Sequence, residues 1–424
     1  MLSRFLKDCR GGVAPMLALL ALPLIGTVGA AIDYTRASAA RTAFQAALDS
    51  TALMLSKTAA TQTGADLQTA ATSYLNALFT RPDAKNVTIS ATYSSTNGSN
   101  LTLNGRATIA TNFLEVLGFN QLDIAAATTS TWGNTRLRVA LVLDNTGSMA
   151  SSDKMTALKT ASQNLLTQLK SAAVTDADVY VSVIPFNKDV NVGADKYNET
   201  WLRWDLWEEE NGTCSDSSYR KQSKCTSHSQ VWTPASHSTW NGCITDRDQN
   251  FDTTNDAPLA GSTLYPAEQY SSCPVSLIGL SNDWPTLSSK IDAMQPKGNT
   301  NQAIGLQMGW QSLTGAPFTV PEFDSNYKYK QVIILLTDGL NTEDRWYTTQ
   351  SSIDTRQQKT CDNIKAAGIT LYTVQVNTGN DPTSTLLKNC ASDSSKFFLL
   401  TSSTEIVTTF NQIGTALSNL RLSM

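Results

Sequence analysis

From Val13 to Ile32 the chain runs some twenty residues without a charged side chain. As a helix rising about 1.5 Å per residue, that run spans about 30 Å, the thickness of one hydrocarbon core. Arg4, Lys7 and Arg10 precede it, and a positive flank stays in the cytoplasm, so the rest of the chain is expected beyond the membrane. Arg36 and Arg41 weaken that bias without reversing it. The rival reading is a cleaved signal peptide, because Val28-Gly29-Ala30 looks like a small-residue cleavage site. The apolar run exceeds the usual h-region of about 7–15 residues, which favours a retained anchor.

Cysteine usage agrees with export. Cys9 lies on the cytoplasmic side, leaving Cys214, Cys225, Cys243, Cys273, Cys361 and Cys390 beyond the membrane, an even set that fits disulfides. Cys361 and Cys390 sit in helices flanking one strand, and such helices can lie side by side on a sheet face, so these two are expected to pair. The other four are expected to pair among themselves, in any of three connectivities. A zinc site built from Cys225, His228, His237 and Cys243 fits no ordinary finger spacing. At 424 residues the chain is too long for one ordinary core. A net charge of −4, with no basic cluster interleaved with aromatics, argues against a nucleic-acid partner.

Beyond the apolar run the pattern stays helical through YTRASAARTAFQAALDSTALMLSKTA, and GADLQTAATSYLNALFT reads as a second helix. Alternation at Val87, Ile89, Ala91 and Tyr93 marks a strand, SSTNGSN a turn, and further strands follow to about Ala126. The layout is a small pilin-like α+β domain. From about residue 136 apolar strands alternate with helices: RLRVALVLD, DVYVSVIPF, QVIILLTDG, ITLYTVQV and FFLL. This predicts an α/β domain with a doubly wound parallel sheet. The expected division is residues 1–33 as cytoplasmic tip and transmembrane helix, 34–133 pilin-like, and 134–424 α/β, interrupted by a disulfide-bearing insertion at 194–283. The insertion holds Trp201, Trp204, Trp207, Trp232 and Trp240, which are expected to build a core of its own rather than a recognition surface.

A parallel sheet puts its site outside the carboxyl ends of its strands. LVLDNTGS ends one strand there and ILLTDG another, with GNTNQAIG at a helix start between them. One edge would gather Asp144, Thr146, Ser148, Thr300 and Asp338. Carboxylate and hydroxyl oxygens suit Mg²⁺, a hard cation that prefers oxygen ligands.

D-x-T-x-S, G-N-T and T-D-G resemble the metal-ion-dependent adhesion site of von Willebrand factor type A domains, over about residues 136–193 and 284–420. The resemblance implies Mg²⁺ held by Thr146, Ser148 and Thr300, with Asp144 and Asp338 contributing directly or through water. RGGVAPMLALLALPLIGTVGAAIDYTRA resembles the membrane segment of TadE/TadG-like Flp pilus-assembly proteins, which implies a bacterial envelope protein of the tight-adherence pilus system.

Weaker signals carry less. DRDQNFD, residues 246–252, lacks the Gly and terminal acid of an EF-hand loop and reads as a solvated loop. Glu208–Glu210 reads as a solvated charge patch. No G-x-S-x-G or phosphate-binding G-x-x-x-x-G-K occurs, and no acid–base partner stands beside the oxygen cluster, so no enzyme is expected. Two readings remain. One is an assembly or adhesion module whose metal binds a carboxylate on a protein partner. The other is a structural minor pilin-like subunit whose metal only stabilises the fold.

Overall fold

In the computed structural model the described residues are 13–95, 99–132, 135–325, 327–379 and 382–422. The tip with Arg4, Lys7, Cys9 and Arg10, and the centre of the expected turn at Thr96–Gly98, lie outside them. The chain divides into two compact units, residues 1–134 and 135–423.

The first unit is built on one helix, α1 (Val13–Ser56). Ala40, Phe44, Leu48, Ala52 and Leu55 recur at helical spacing and are all buried. A second helix, α2 (Gly64–Leu78), starts where the Thr63 hydroxyl accepts from Asp66 N, and it buries Leu67, Ala71 and Leu75. These helices pack on an antiparallel sheet of β1 (Ala84–Ser94), β2 (Ser99–Ala110) and β3 (Gln121–Trp132). Close approach of α1 to β2 requires Gly105, since a Cβ there would lie 2.6 Å from Phe44 Cζ. Among the described residues, whose side chains in α1 begin at Leu20, no helix is long and apolar enough to cross a membrane.

In the second unit, β4 (Thr135–Asp144), α3 (Lys154–Ala172) and β5 (Val179–Phe186) open a sheet that β6 (Val190–Asn191), β7 (Cys243–Ile244) and β8 (Ile278–Ser281) extend. Then follow α4 (Trp284–Asp292), α5 (Gln302–Thr314), β9 (Lys328–Thr337), α6 (Gln350–Ala366), β10 (Thr370–Val376), α7 (Thr385–Cys390), β11 (Phe397–Leu400) and α8 (Thr404–Leu422). The strand order is β7-β6-β5-β4-β9-β10-β11, with β8 also on β5. Neighbours from β5 to β11 run parallel, whereas β6, β7 and β8 are antiparallel. The expectation of a purely parallel sheet is corrected at this one edge. Only the long helical crossovers can return a strand parallel, and the turn from Phe186 to Val190 is too short for one.

Helices cover both faces. Leu158, Leu165, Ile291 and Phe410 from α3, α4 and α8 pack on one side. Ile304, Met308 and Ile364 from α5 and α6 pack on the other. Each such buried aliphatic or aromatic side chain contributes about 1.5–3 kcal/mol.

The insertion does not keep a separate core. Trp207, Trp240 and Tyr265 are buried in the same cluster as Phe186, Ile244 and Ile304. Trp201 and Trp204 are partly buried against that cluster. Disulfides join Cys214 to Cys225, Cys243 to Cys273 and Cys361 to Cys390, so the four cysteines once considered for zinc or left open are covalently paired.

The loop at 246–252 is only partly solvated. Asp246 and Asp252 are buried. Asp252 pairs with Arg356, and Asp248 takes Arg203 at 2.6 Å and Arg345 at 2.9 Å. The arginines that neutralise these acids lie about 45–105 residues away in sequence. Glu208 and Glu210 are also engaged, by His237 Nε2 at 2.8 Å and by Lys221.

Candidate metal-binding site

Asp144 is the last residue of β4, and Asp338 follows the last residue of β9, its parallel neighbour. Parallel pairing brings their carboxylates to the same edge. Asp144 is fully buried. Its Oδ1 accepts from Thr146 N at 2.8 Å and its Oδ2 from the Thr337 hydroxyl at 2.6 Å.

The chain then turns through a short 3₁₀ segment at Gly147–Ala150. This sets the Thr146 and Ser148 hydroxyls 3.0 Å apart, and Ser148 Oγ donates to Asp338 Oδ1 at 2.6 Å. Thr146, Ser148 and Asp338 thus form one continuous hydrogen-bonded chain of oxygens.

Thr300 lies in the loop before α5. That loop meets the same turn through Gly147 N, which donates to Gly298 O at 3.0 Å. Backbone bonds also stitch Thr300 to the loop after β9, with Thr300 N donating to Thr342 Oγ1 at 2.8 Å and Thr342 N donating to Thr300 O at 2.9 Å. The insertion and the β5–β6 turn both support the loop. Asn301 Nδ2 donates to Asp246 Oδ2 of the insertion at 2.7 Å, and Asn187 Nδ2 of the turn donates to Lys297 O at 3.1 Å.

Two residues here, Lys154 and Thr337, escape the sequence reading. Ser152 and Asp153 both have φ of 56°, and this left-handed pair swings the chain into α3 with Lys154 at its first position. The Lys154 ammonium donates to Asp338 Oδ2, with both side chains buried. A cation in the first turn opposes the helix dipole, and here the Asp338 carboxylate compensates it. Thr337 was also missed, although a hydroxyl as the last side chain of an otherwise apolar strand was visible in ILLTDG.

Burial pushes the Asp144 carboxyl up to about 7, helped by the charge of Asp338 and resisted by the Thr146 and Thr337 hydrogen bonds. This carboxylate therefore gains from any cation brought to it. Two carboxylates and the Thr146 and Ser148 hydroxyls make a hard-oxygen donor set that fits Mg²⁺. Among the described residues no group of three or more His, Cys, Asp or Glu is arranged to hold a metal.

Two families match this chain. Residues 265–412 match the von Willebrand factor type A domain, and residues 11–62 match the TadE/G-like family of Flp pilus assembly. The type A match includes Thr300 and Asp338 and begins within the insertion, well after the 144–148 segment. No curated protein matches the chain. Among solved structures, the pilus adhesin SpaC from Lactobacillus rhamnosus GG is 14% identical with a TM-score of 0.39, covering 81% of this chain and 36% of its own. The chain thus spans about a third of that adhesin's length. The vWF domain of the type V pili tip protein Mfa5 from Porphyromonas gingivalis is 11% identical with a TM-score of 0.39, covering 68% of this chain and 97% of its own. The PilB minor pilin from Streptococcus sanguinis is 12% identical with a TM-score of 0.37, covering 79% of each.

Proposed function

Because this chain carries a TadE/G-like segment of Flp pilus assembly followed by a von Willebrand factor type A domain, we propose that it is a non-enzymatic envelope protein of a Flp/Tad-type pilus. Its role in assembly or adhesion is to capture a carboxylate on a protein partner through Mg²⁺. The observation that carries the reading is the run of oxygens from Thr146 through Ser148 to Asp338, set beside the buried Asp144 at the carboxyl edge of the sheet.

Thr146, Ser148 and Thr300 would hold the ion, with Asp144 and Asp338 acting directly or through water. When bound, Mg²⁺ offers an exchangeable position to an incoming Asp or Glu. The residues of the chain do the rest. Neutral hydroxyls contribute oxygens without quenching the ion's charge, and Thr337 with the Thr146 amide orients Asp144. Leu340, Trp346 and Tyr347, exposed on the loop after Asp338, supply apolar and aromatic surface for the partner.

The Lys154–Asp338 pair favours recognition over mere fold stabilisation, since the fold already places a cation on that carboxylate without a metal. The uncharged run from Val13 to Ile32 supports a single-pass inner-membrane anchor with the N-terminus cytoplasmic and the bulk of the chain periplasmic. The three disulfides agree with that oxidising compartment.

The test is partner capture from an envelope extract by wild type and Asp144→Ala, with Mg²⁺ and then with EDTA. Capture by wild type in Mg²⁺ alone is expected. Equal capture in all four arms by folded protein would remove the metal from the recognition step.

A further inference from the structure

We propose that the loop between β2 and β3, Phe113 to Phe119, is a second membrane-contacting element, resting in the periplasmic interface of the bilayer beside α1. The proposal rests on the anchor reading above.

Asp33 is the first charge after the uncharged run and is buried. Its carboxylate accepts from the backbone N–H of Asn112 at 3.1 Å, Phe113 at 2.8 Å and Leu114 at 2.8 Å. The loop is therefore pinned to α1 at the level where the run ends. From that point Phe113 folds back along the helix onto Gly29, where an added Cβ would come within 2.5 Å of Phe113 Cβ. Gly29 lies four positions before Asp33, so the ring sits about 6 Å inside the uncharged run. Interfacial elements reach about 5–10 Å below the headgroup boundary, which matches this depth.

The loop exposes one charge, Glu115, among apolar side chains. Phe113, Val116 and Phe119 are exposed, at 41%, 80% and 62%, and Phe113 lines one apolar groove with Leu20, Leu24, Val28 and Ile32. On the other side of Asp33, Arg36 and Arg81 both pair with Asp83. Tyr34 is exposed at the border, where aromatic rings with a polar tip favour the headgroup level. An apolar patch of this kind is uncommon on a surface facing water. The groove continues down the side of α1 that the anchor reading surrounds with lipid, so the occupant is the acyl–headgroup boundary.

The full chain carrying Cys9→Ser, with one added cysteine at Leu24, Thr61, Val116 or Phe119, would be labelled with an environment-sensitive fluorophore. It would be reconstituted in phosphatidylethanolamine–phosphatidylglycerol vesicles, and quenching by shallow spin-labelled lipid compared with quenching by aqueous iodide. Labels at 24, 116 and 119 are expected to be quenched several-fold more by lipid than the label at 61, which iodide should reach. Iodide quenching at 116 and 119 with lipid quenching at 24 would overturn the proposal and leave the anchor standing. Iodide quenching at 24 as well would overturn both. Protection of 116 and 119 from both quenchers would mean that protein covers the loop, and would also overturn it.

Discussion

The Lys154 ammonium and the Ser148 hydroxyl hold the two oxygens of one carboxylate, Asp338, from opposite ends of the turn that joins β4 to α3. A cation of the chain therefore sits where a metal would draw on the same carboxylate. Lys154 is a built-in competitor of the ion as well as a stabiliser of the fold in its absence.

Lys154→Met separates those roles. Removing one partner of a buried ion pair costs about 3–5 kcal/mol, so the variant should unfold at lower temperature than wild type in EDTA. Mg²⁺ should raise its unfolding temperature by more than it raises that of wild type, because Asp338 is then free for the ion. Thermal unfolding of both proteins across a Mg²⁺ titration measures this, and equal shifts would show that Lys154 does not compete.

Asp144 makes the site sensitive to pH. The folded state holds its proton up to about 7, against 3.8 for an ordinary carboxyl, so between those values it binds more protons than the unfolded chain. The contribution of Asp144 to metal-free stability should therefore be fully present below about 4 and be lost as pH rises through about 7. Asp246, pushed to about 7 by burial and by Asp344, adds a change of the same sign. Mg²⁺ affinity should run the other way, rising up to about tenfold per unit of pH until it levels near 7. Calorimetric Mg²⁺ titrations of wild type and Asp144→Asn between pH 5 and 8 test this, with a flatter profile expected for the variant.

At Thr146 the oxygen matters more than the methyl group. Thr146→Ser keeps the hydroxyl 3.0 Å from Ser148 and should preserve Mg²⁺ binding within a few-fold. Thr146→Val keeps the shape and removes the ligand oxygen, and should weaken binding by at least about tenfold. Comparable Mg²⁺ affinity in the two variants would exclude this hydroxyl as a ligand.

The Cys361–Cys390 bridge closes a sequence separation of 29 residues between α6 and α7. Loop-closure entropy puts its contribution at about 3–4 kcal/mol. The double variant Cys361→Ala/Cys390→Ala should lose that much in denaturant unfolding. Because neither cysteine is among the hydrogen-bond partners of Asp144 or Asp338, Mg²⁺ affinity in native conditions should be unchanged.

Much of this protein is written in local pattern. The period-2 alternation of Val87, Ile89, Ala91 and Tyr93 and the apolar runs RLRVALVLD and QVIILLTDG name their strands because side-chain burial imposes that periodicity on each strand separately. The same pattern puts Asp144 and Asp338 at strand ends, so the edge that gathers oxygens was visible before the fold was. What no local pattern carries is the identity of partners brought together over long separations. Asp248 read as a solvated acid because Arg203 and Arg345 are 45 and 97 residues away. The insertion read as a body with its own core because nothing local says that Ile244 and Trp240 pack with Phe186 on the main sheet. Lys154 shows the same division. Its place at the start of a helix follows from sequence, while its bond to Asp338, 184 residues on, exists only because β4 and β9 lie side by side. Periodicity and strand ends are properties of consecutive residues, whereas charge neutralisation and shared burial depend on which distant residues the packed sheet brings within a few ångströms.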